Sequence, residues 1–423
     1  MSVGALEGYG PQEASRSGIW RALLALAAVG MLATYSQFFV FPVFGEGARL
    51  AAAGGLIRNL YFPAYAAGLL LIALSPRDTL RALARQPFLL LLLAIVVISM
   101  TWSIAPDQTA RRAFAVYLTT LGGIALAVRY RWVELAELTA ACFAALAVVS
   151  LVVCLAIPSI GVMSEIFPGA WRGMWAEKNA FGGNMALGFV VSAAAAALNP
   201  RRAKLWIACA LLMLGLVVMS TSKTSLVSLM LGLGGLCLVA FARRGPAAGV
   251  MTVWVTVLGA AMFAAVMLFA ADLFFGVLGK DATFTGRTKI WSAAMRQIAE
   301  RPWTGYGYES VWTLEGPWGP LAWIVKDAGF KPQHAHNSWI EQWLGLGIGG
   351  LVAFGLMFLQ TLTLAVLAVF RHRGALLAVP LVIVYSLMTF TESVAVVYND
   401  LRWVLFVAVA VKLAWPGEDA EES

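Results

Sequence analysis

Apolar residues in this chain fall in long unbroken blocks and rarely alternate with polar ones. About twelve blocks approach or exceed the roughly 18 residues that cross a bilayer as a helix. Their approximate centres lie at 30, 66, 95, 119, 145, 188, 211, 231, 260, 355, 386 and 408. A helix satisfies its own backbone hydrogen bonds in lipid, so the blocks read as helices. A barrel would need short alternating segments, which are not seen. The expectation is an all-α integral membrane protein. Composition agrees: the 423 residues are 61% hydrophobic and 12% charged, with a mean hydropathy of +0.81. A soluble domain carries about 25% charged residues. Residues 1–18 are polar and Gly-rich, and the first block is long enough to remain as a span.

The connections between blocks alternate in charge. One set is short and basic: Arg77/Arg81/Arg85, Arg129/Arg131, Arg201/Arg202/Lys204, Arg243/Arg244 and Arg371/Arg373. Positive loops stay in the cytoplasm, which puts both termini there and the remaining connections outside. Of the outward connections, residues 158–177 and especially 272–335 are long. Loops of such length are functional or disordered. The second holds Trp291, Trp303, Trp312, Trp318 and Trp323, which argues for order. The chain then divides into spans one to nine (1–271), a large periplasmic loop with short amphipathic helices (272–335), three further spans (336–414) and an acidic tail (415–423). No internal repeat is evident, which weighs against a repeat-built transporter.

The net charge of +8 follows from this topology and needs no nucleic-acid partner. Cys142, Cys154, Cys209 and Cys237 lie within apolar blocks without metal-ligand spacing and read as free thiols. The outward cations are not explained by the positive-inside rule. They are Arg49, Arg58, Arg111, Arg112, Arg172, Lys178, Lys223, Arg287, Lys289 and Arg402. Each alone can snorkel to headgroups. Together they suit a phosphate or pyrophosphate, which Arg grips in bidentate fashion. Lys223 sits in Ser220-Thr221-Ser222-Lys223-Thr224-Ser225 at the mouth of a block, and Lys178-Asn179 at the entrance of another. Both also read as helix caps.

Gly286-Arg287-Thr288-Lys289-Ile290-Trp291 opens an amphipathic stretch that Pro302 ends. Ile290, Trp291, Ala294, Met295 and Ile298 share one face, which suits a helix lying in the membrane interface. Gly305-Tyr306-Gly307-Tyr308 lacks the context of a phosphate loop and reads as a turn. His334 and His336 stand just before a span. Ser338-Trp339-Ile340-Glu341 has capping-box spacing and predicts a helix start there. A helix N-terminus disfavours imidazolium beside it and leaves a neutral imidazole able to take a proton. The pair also suits capping or zinc. No third Cys or Asp ligand stands at a telling spacing, so no metal or other cofactor is expected. No outward Asp-x-Asp suggests a metal-dependent nucleotide-sugar transferase.

Taken in order, Gly286-Arg287, Ile290-Trp291, Arg301-Pro302-Trp303-Thr304-Gly305-Tyr306-Gly307, His334-Ala335-His336-Asn337, Glu341 and Gly345-Leu346-Gly347 resemble the O-antigen ligase and polymerase superfamily. Lys178-Asn179 and the Ser-rich cluster at 220–225 extend the resemblance. It implies a GT-C-like glycosyltransferase of the bacterial inner membrane with a periplasmic active site. The donor would be a glycan on undecaprenyl pyrophosphate and the acceptor a sugar hydroxyl of lipid A–core. Transfer would be metal-independent and inverting. Carried over, His336 is the base, with His334 as the alternate, and Arg287 acts in catalysis by holding the pyrophosphate. Lys223, Lys178, Arg172, Arg58 and Arg111 complete the expected phosphate set. Many members carry Arg where this chain has Lys223, which supplies a point charge without the fork. The ligase reading comes first. A polymerase of O-antigen or exopolysaccharide, or a protein O-oligosaccharyltransferase, would share its chemistry. A lipid flippase or transporter would explain spans and cations without catalysis. A membrane scaffold would leave the His pair unexplained.

Overall fold

The computed structural model describes residues 11–269, 286–313 and 318–415. Most of the expected tail (416–423), residues 1–10 of the polar start, and residues 272–285 and 314–317 of the large loop lie outside the described residues. The described chain is almost wholly helical, and each of the twelve expected centres falls inside a helix. By length and hydropathy, eight described helices can cross a membrane, or nine if the pair Pro76–Ala84 and Pro87–Thr101, bent by 92°, counts as one span. Ala375–Thr391 and Leu401–Ala414 are shorter than the sequence reading assumed. At 1.5 Å per residue they reach about 25 and 21 Å, less than a full hydrocarbon core. The chain between them, residues 392–400, lacks regular structure and carries polar residues into the helix bundle.

The basic connections gather at one end. Arg243 donates to Val369 O at 3.1 Å, Arg373 to Ala197 O at 3.0 Å, and Arg202 pairs with Glu137 at 3.0 Å. This is the arrangement the positive-inside rule requires. At the centre lie the Lys178–Leu198 helix, with 78% of its apolar window buried, and the Leu401–Ala414 helix, whose residues are almost all buried. Close approach sets the packing: a Cβ on Gly123 would stand 2.7 Å from Val404 O. Outer helices turn Leu205, Leu211, Met230, Trp254 and Leu258 outward, as lipid-facing surfaces do.

The described residues of the large loop, 286–313 and 318–335, pack against the bundle at the other end. Helix Arg287–Glu300 packs Ala293, Ala294 and Ile298 into a small second core with Tyr306, Val311, Ile324 and Leu344. Met295, expected on that face, is instead 41% exposed. The buried stripe is narrower than the pattern suggested, and it faces protein. The turn at Gly305–Tyr308 does more than reverse the chain. Tyr306 N donates to Leu344 O at 3.0 Å and Gly307 N to Gly345 O at 2.8 Å, while Ile348 N donates to Pro302 O at 2.9 Å. These bonds dock the loop onto a break in the helix Ser338–Arg371, at Gly347 (φ 67°). A Cβ there would lie 2.1 Å from Trp303 O, so only glycine fits. The helix start was correctly expected, but its cap was not. Asn337 is the N-cap, accepting from the amides of Trp339 (3.0 Å) and Ile340 (3.2 Å). Ser338 and Glu341 are thereby released for other partners.

Candidate active site

Two irregular segments, 334–337 and 392–400, meet at the loop end of the bundle. Ser338 and Glu341 fasten them together. Ser338 Oγ donates to Glu392 O (2.9 Å) and accepts the amides of Val394 (2.9 Å) and Ala395 (3.2 Å). The Glu341 carboxylate accepts Ala335 N (2.6 Å), Ser393 Oγ (3.0 Å) and Trp312 Nε1 (2.7 Å). One carboxylate therefore holds the residue before His336 and the residue after Glu392. Trp291 Nε1 adds a bond to Ala335 O at 2.8 Å.

This frame brings His336 Nδ1 to 3.0 Å from Glu392 Oε2, and Arg287 to 3.1 Å from Glu392 Oε1. His336 has a left-handed φ of 51°, uncommon outside glycine and typical of strained functional positions. Its amide donates to His334 Nδ1 at 3.2 Å, and the two rings are centred 3.9 Å apart. An acceptor Nδ1 leaves the His334 proton on Nε2, so His334 presents a donor there. Burial pushes the His334 imidazole down to about 3, and His336, Arg402 and Arg287 push the same way against Glu392. Burial raises the Glu392 carboxyl, but the hydrogen bond and charge of His336, with Arg287 and His334, outweigh it and hold Glu392 at about 2.

The histidines and Glu392 open onto a cavity of about 510 Å³. Its lining also takes in the starts of two helices, with Asn179, Asn184, Ser222, Ser225 and Ser228. Ser225 Oγ donates to Ser222 Oγ (2.8 Å), and Ser222 Oγ to Asn179 Oδ1 (2.9 Å). Lys178 and Lys223 begin these two helices, Lys178–Leu198 and Lys223–Ala242. Lys178 Nζ reaches Thr221 Oγ1 at 3.2 Å and lies 3.8 Å from the centre of the Phe167 ring. The two helix starts and their lysines flank the lining residues Asn179, Ser222 and Thr224, with Glu177 beside Lys178, and positive helix ends favour an anion there.

The other expected cations are placed differently. Arg172 ties down its own loop, donating to Ile160 O at 2.8 Å and stacking over Phe41 at 4.2 Å. Arg58 and Arg111 are exposed and do not line the cavity. Arg112 bonds to Glu309 O and lies over the Tyr398 ring, joining a span to the large loop. Arg402 does line the cavity, with its guanidinium gripped by Asp400.

The O-Antigen ligase family model matches residues 208–355, which include the Ser-rich cluster, Arg287 and both outward histidines. The exopolysaccharide production protein ExoQ of Rhizobium meliloti (strain 1021) is 27% identical over 344 residues, covering 76% of this chain and 73% of the relative. Both matches support the O-antigen ligase and polymerase superfamily.

The site residues that the sequence pattern does not reveal are Glu392, Asp400 and the clamp made by Ser338 and Glu341. Glu392 and Asp400 lie beyond the matched segment. A signal existed: Glu392 ends an apolar block, and the rule that flagged outward cations applies equally to acids. Glu392 also bears on metal binding. His334, His336 and Glu392 offer ligand atoms within 4.8 Å of one another, a trio that sequence spacing did not reveal. However, His334 Nδ1 and His336 Nδ1 are both engaged in the hydrogen bonds described above, and Arg287 is bound to Glu392. His336 Nε2 lies outside these contacts, but a divalent cation on the trio would disturb the bonds at His334 and Glu392 and sit beside a guanidinium, so the set suits proton transfer better.

Proposed function

We propose that the protein transfers a glycan from undecaprenyl pyrophosphate to a sugar hydroxyl at the periplasmic face of the bacterial inner membrane, without metal and with inversion. The observation that carries this reading is the 3.0 Å contact between His336 Nδ1 and the Glu392 carboxylate on the wall of the cavity. With Nδ1–H held by Glu392, His336 Nε2 is the open base. It takes the proton of the acceptor hydroxyl as that oxygen bonds to the anomeric carbon. The anomeric carbon–phosphate oxygen bond breaks, and the lipid-linked pyrophosphate leaves with the electron pair. Direct displacement sets base and leaving group on opposite sides of that carbon. The pyrophosphate then belongs with Lys178, Lys223 and their helix starts, and Arg287, oriented by Glu392, adds its charge from the base side. Glu392 and Arg402 join the expected site; Arg172, Arg58 and Arg111 leave it.

Ligation to lipid A–core is the first reading, because the segment bearing the base matches the O-antigen ligase family. A relative named for exopolysaccharide production favours polymerisation as the second. In both readings the large loop is periplasmic and the basic end cytoplasmic. Replacement of His336 by Ala in producing cells distinguishes them. Ligation predicts loss of capped lipopolysaccharide with accumulation of long lipid-linked polymer. Polymerisation predicts accumulation of single lipid-linked repeat units. Normal product in the variant contradicts the base assignment.

A further inference from the structure

The cavity has a second chemical character that pyrophosphate binding does not use. Asn184 and Ser228 lie inside membrane helices, 8% and 2% exposed, and both line the cavity. Polar side chains at such depth are costly unless they serve a site. Neither carries charge. Asn184 spends its amide nitrogen on Ala180 O (2.9 Å), leaving its oxygen as an acceptor. Ser228 spends its proton on Thr224 O (2.9 Å), leaving its lone pairs. Ser225 stands one turn before Ser228 on the same face. This part of the wall therefore presents acceptors to hydroxyl donors.

Phe330 lines the same cavity, in the segment that runs into His334, and is 44% exposed. Its ring rests against Gly286, where an added Cβ would stand 3.5 Å from the ring. An exposed aromatic ring lining a cavity is unfavourable in water and favourable against an apolar surface. A pyranose has both complements: a face of C–H groups for the ring and a rim of hydroxyls for neutral acceptors.

We infer that Phe330, Asn184 and Ser228 form a subsite for one uncharged sugar ring, which specifies the glycan while the cations hold the pyrophosphate. This rests on the glycan-transfer reading. The sugar belongs either to the donor next to its pyrophosphate or to the acceptor. The test uses full-length protein in detergent and two probes, bare undecaprenyl pyrophosphate and the glycan-bearing lipid extracted from the host. For a donor sugar, Phe330→Ala weakens binding of the glycan-bearing lipid about five- to tenfold and leaves the bare lipid unchanged. Phe330→Trp restores it, and Ser228→Ala weakens it in the same selective way. For an acceptor sugar, both lipids bind normally and the acceptor KM rises by a similar factor in both Ala variants. If neither lipid-binding selectivity nor acceptor KM changes, or bare and glycosylated lipid weaken equally, the subsite falls and glycan transfer stands. If wild-type protein binds neither lipid, both readings fall.

Discussion

At the scale of single residues the decisive pair is His336 and Glu392. Glu392→Gln keeps the shape and removes the charge that stabilises a protonated His336. Its expected effect is a fall in kcat on the order of 100-fold with KM little changed, measured on purified enzyme. An unchanged kcat would remove Glu392 from the mechanism. His334 makes a different, pH-linked prediction. Unfolded, it gains a proton below its ordinary 6.5; folded, not until about 3. Folding therefore excludes a proton in that window, and stability falls as pH drops from 6.5 towards 3. Glu392 contributes stability that is present above its ordinary 4.5 and lost as pH falls towards about 2. Thermal unfolding in detergent should show this acid loss, and His334→Asn should flatten its upper part. A variant as steep as wild type between pH 6.5 and 5 would contradict the neutral assignment. The His-Ala-His-Asn run was legible because two histidines before an apolar block have few bland explanations. Glu392 was not, because it lies 56 positions from His336 and only the fold joins them.

At the scale of elements, apolar blocks translated directly into helices, since lipid leaves the backbone no alternative. What the blocks could not show was where helices break. The interruption at Gly347 and the irregular stretch 392–400 depend on partners distant in sequence. Asn337 took the cap that spacing had given to Ser338, which freed Ser338 to hold Glu392. Gly347→Ala tests the docked loop. A methyl group at this position meets Trp303 O in a backbone conformation that L residues resist, at a cost of about 2 kcal/mol or more. The expected result is faster proteolysis within residues 301–313 and loss of transfer activity. Unaltered proteolysis would show that the loop is held by other contacts.

At the scale of the whole molecule, charge alternation between connections predicted the two ends, and the contacts among Arg202, Arg243, Arg373 and their partners agree. The cation set was only partly informative. Arg172 and Arg112 proved to be fasteners of loops, a role that charge and position cannot separate from ligand binding. Lys178 and Lys223, by contrast, share one rim because their helices pack side by side. The account also predicts that chelators leave transfer unchanged, since Arg and Lys supply the positive charge; a strict requirement for a divalent ion would place metal on the His334–His336–Glu392 trio.

The most direct measurement is transfer by purified protein between undecaprenyl-pyrophosphate glycan and its acceptor, wild type against His336→Ala. The account predicts product from the wild type, with and without chelator, and a loss of at least about 100-fold in kcat for the variant with lipid-linked donor still bound. Transfer by the variant at the wild-type rate would contradict it.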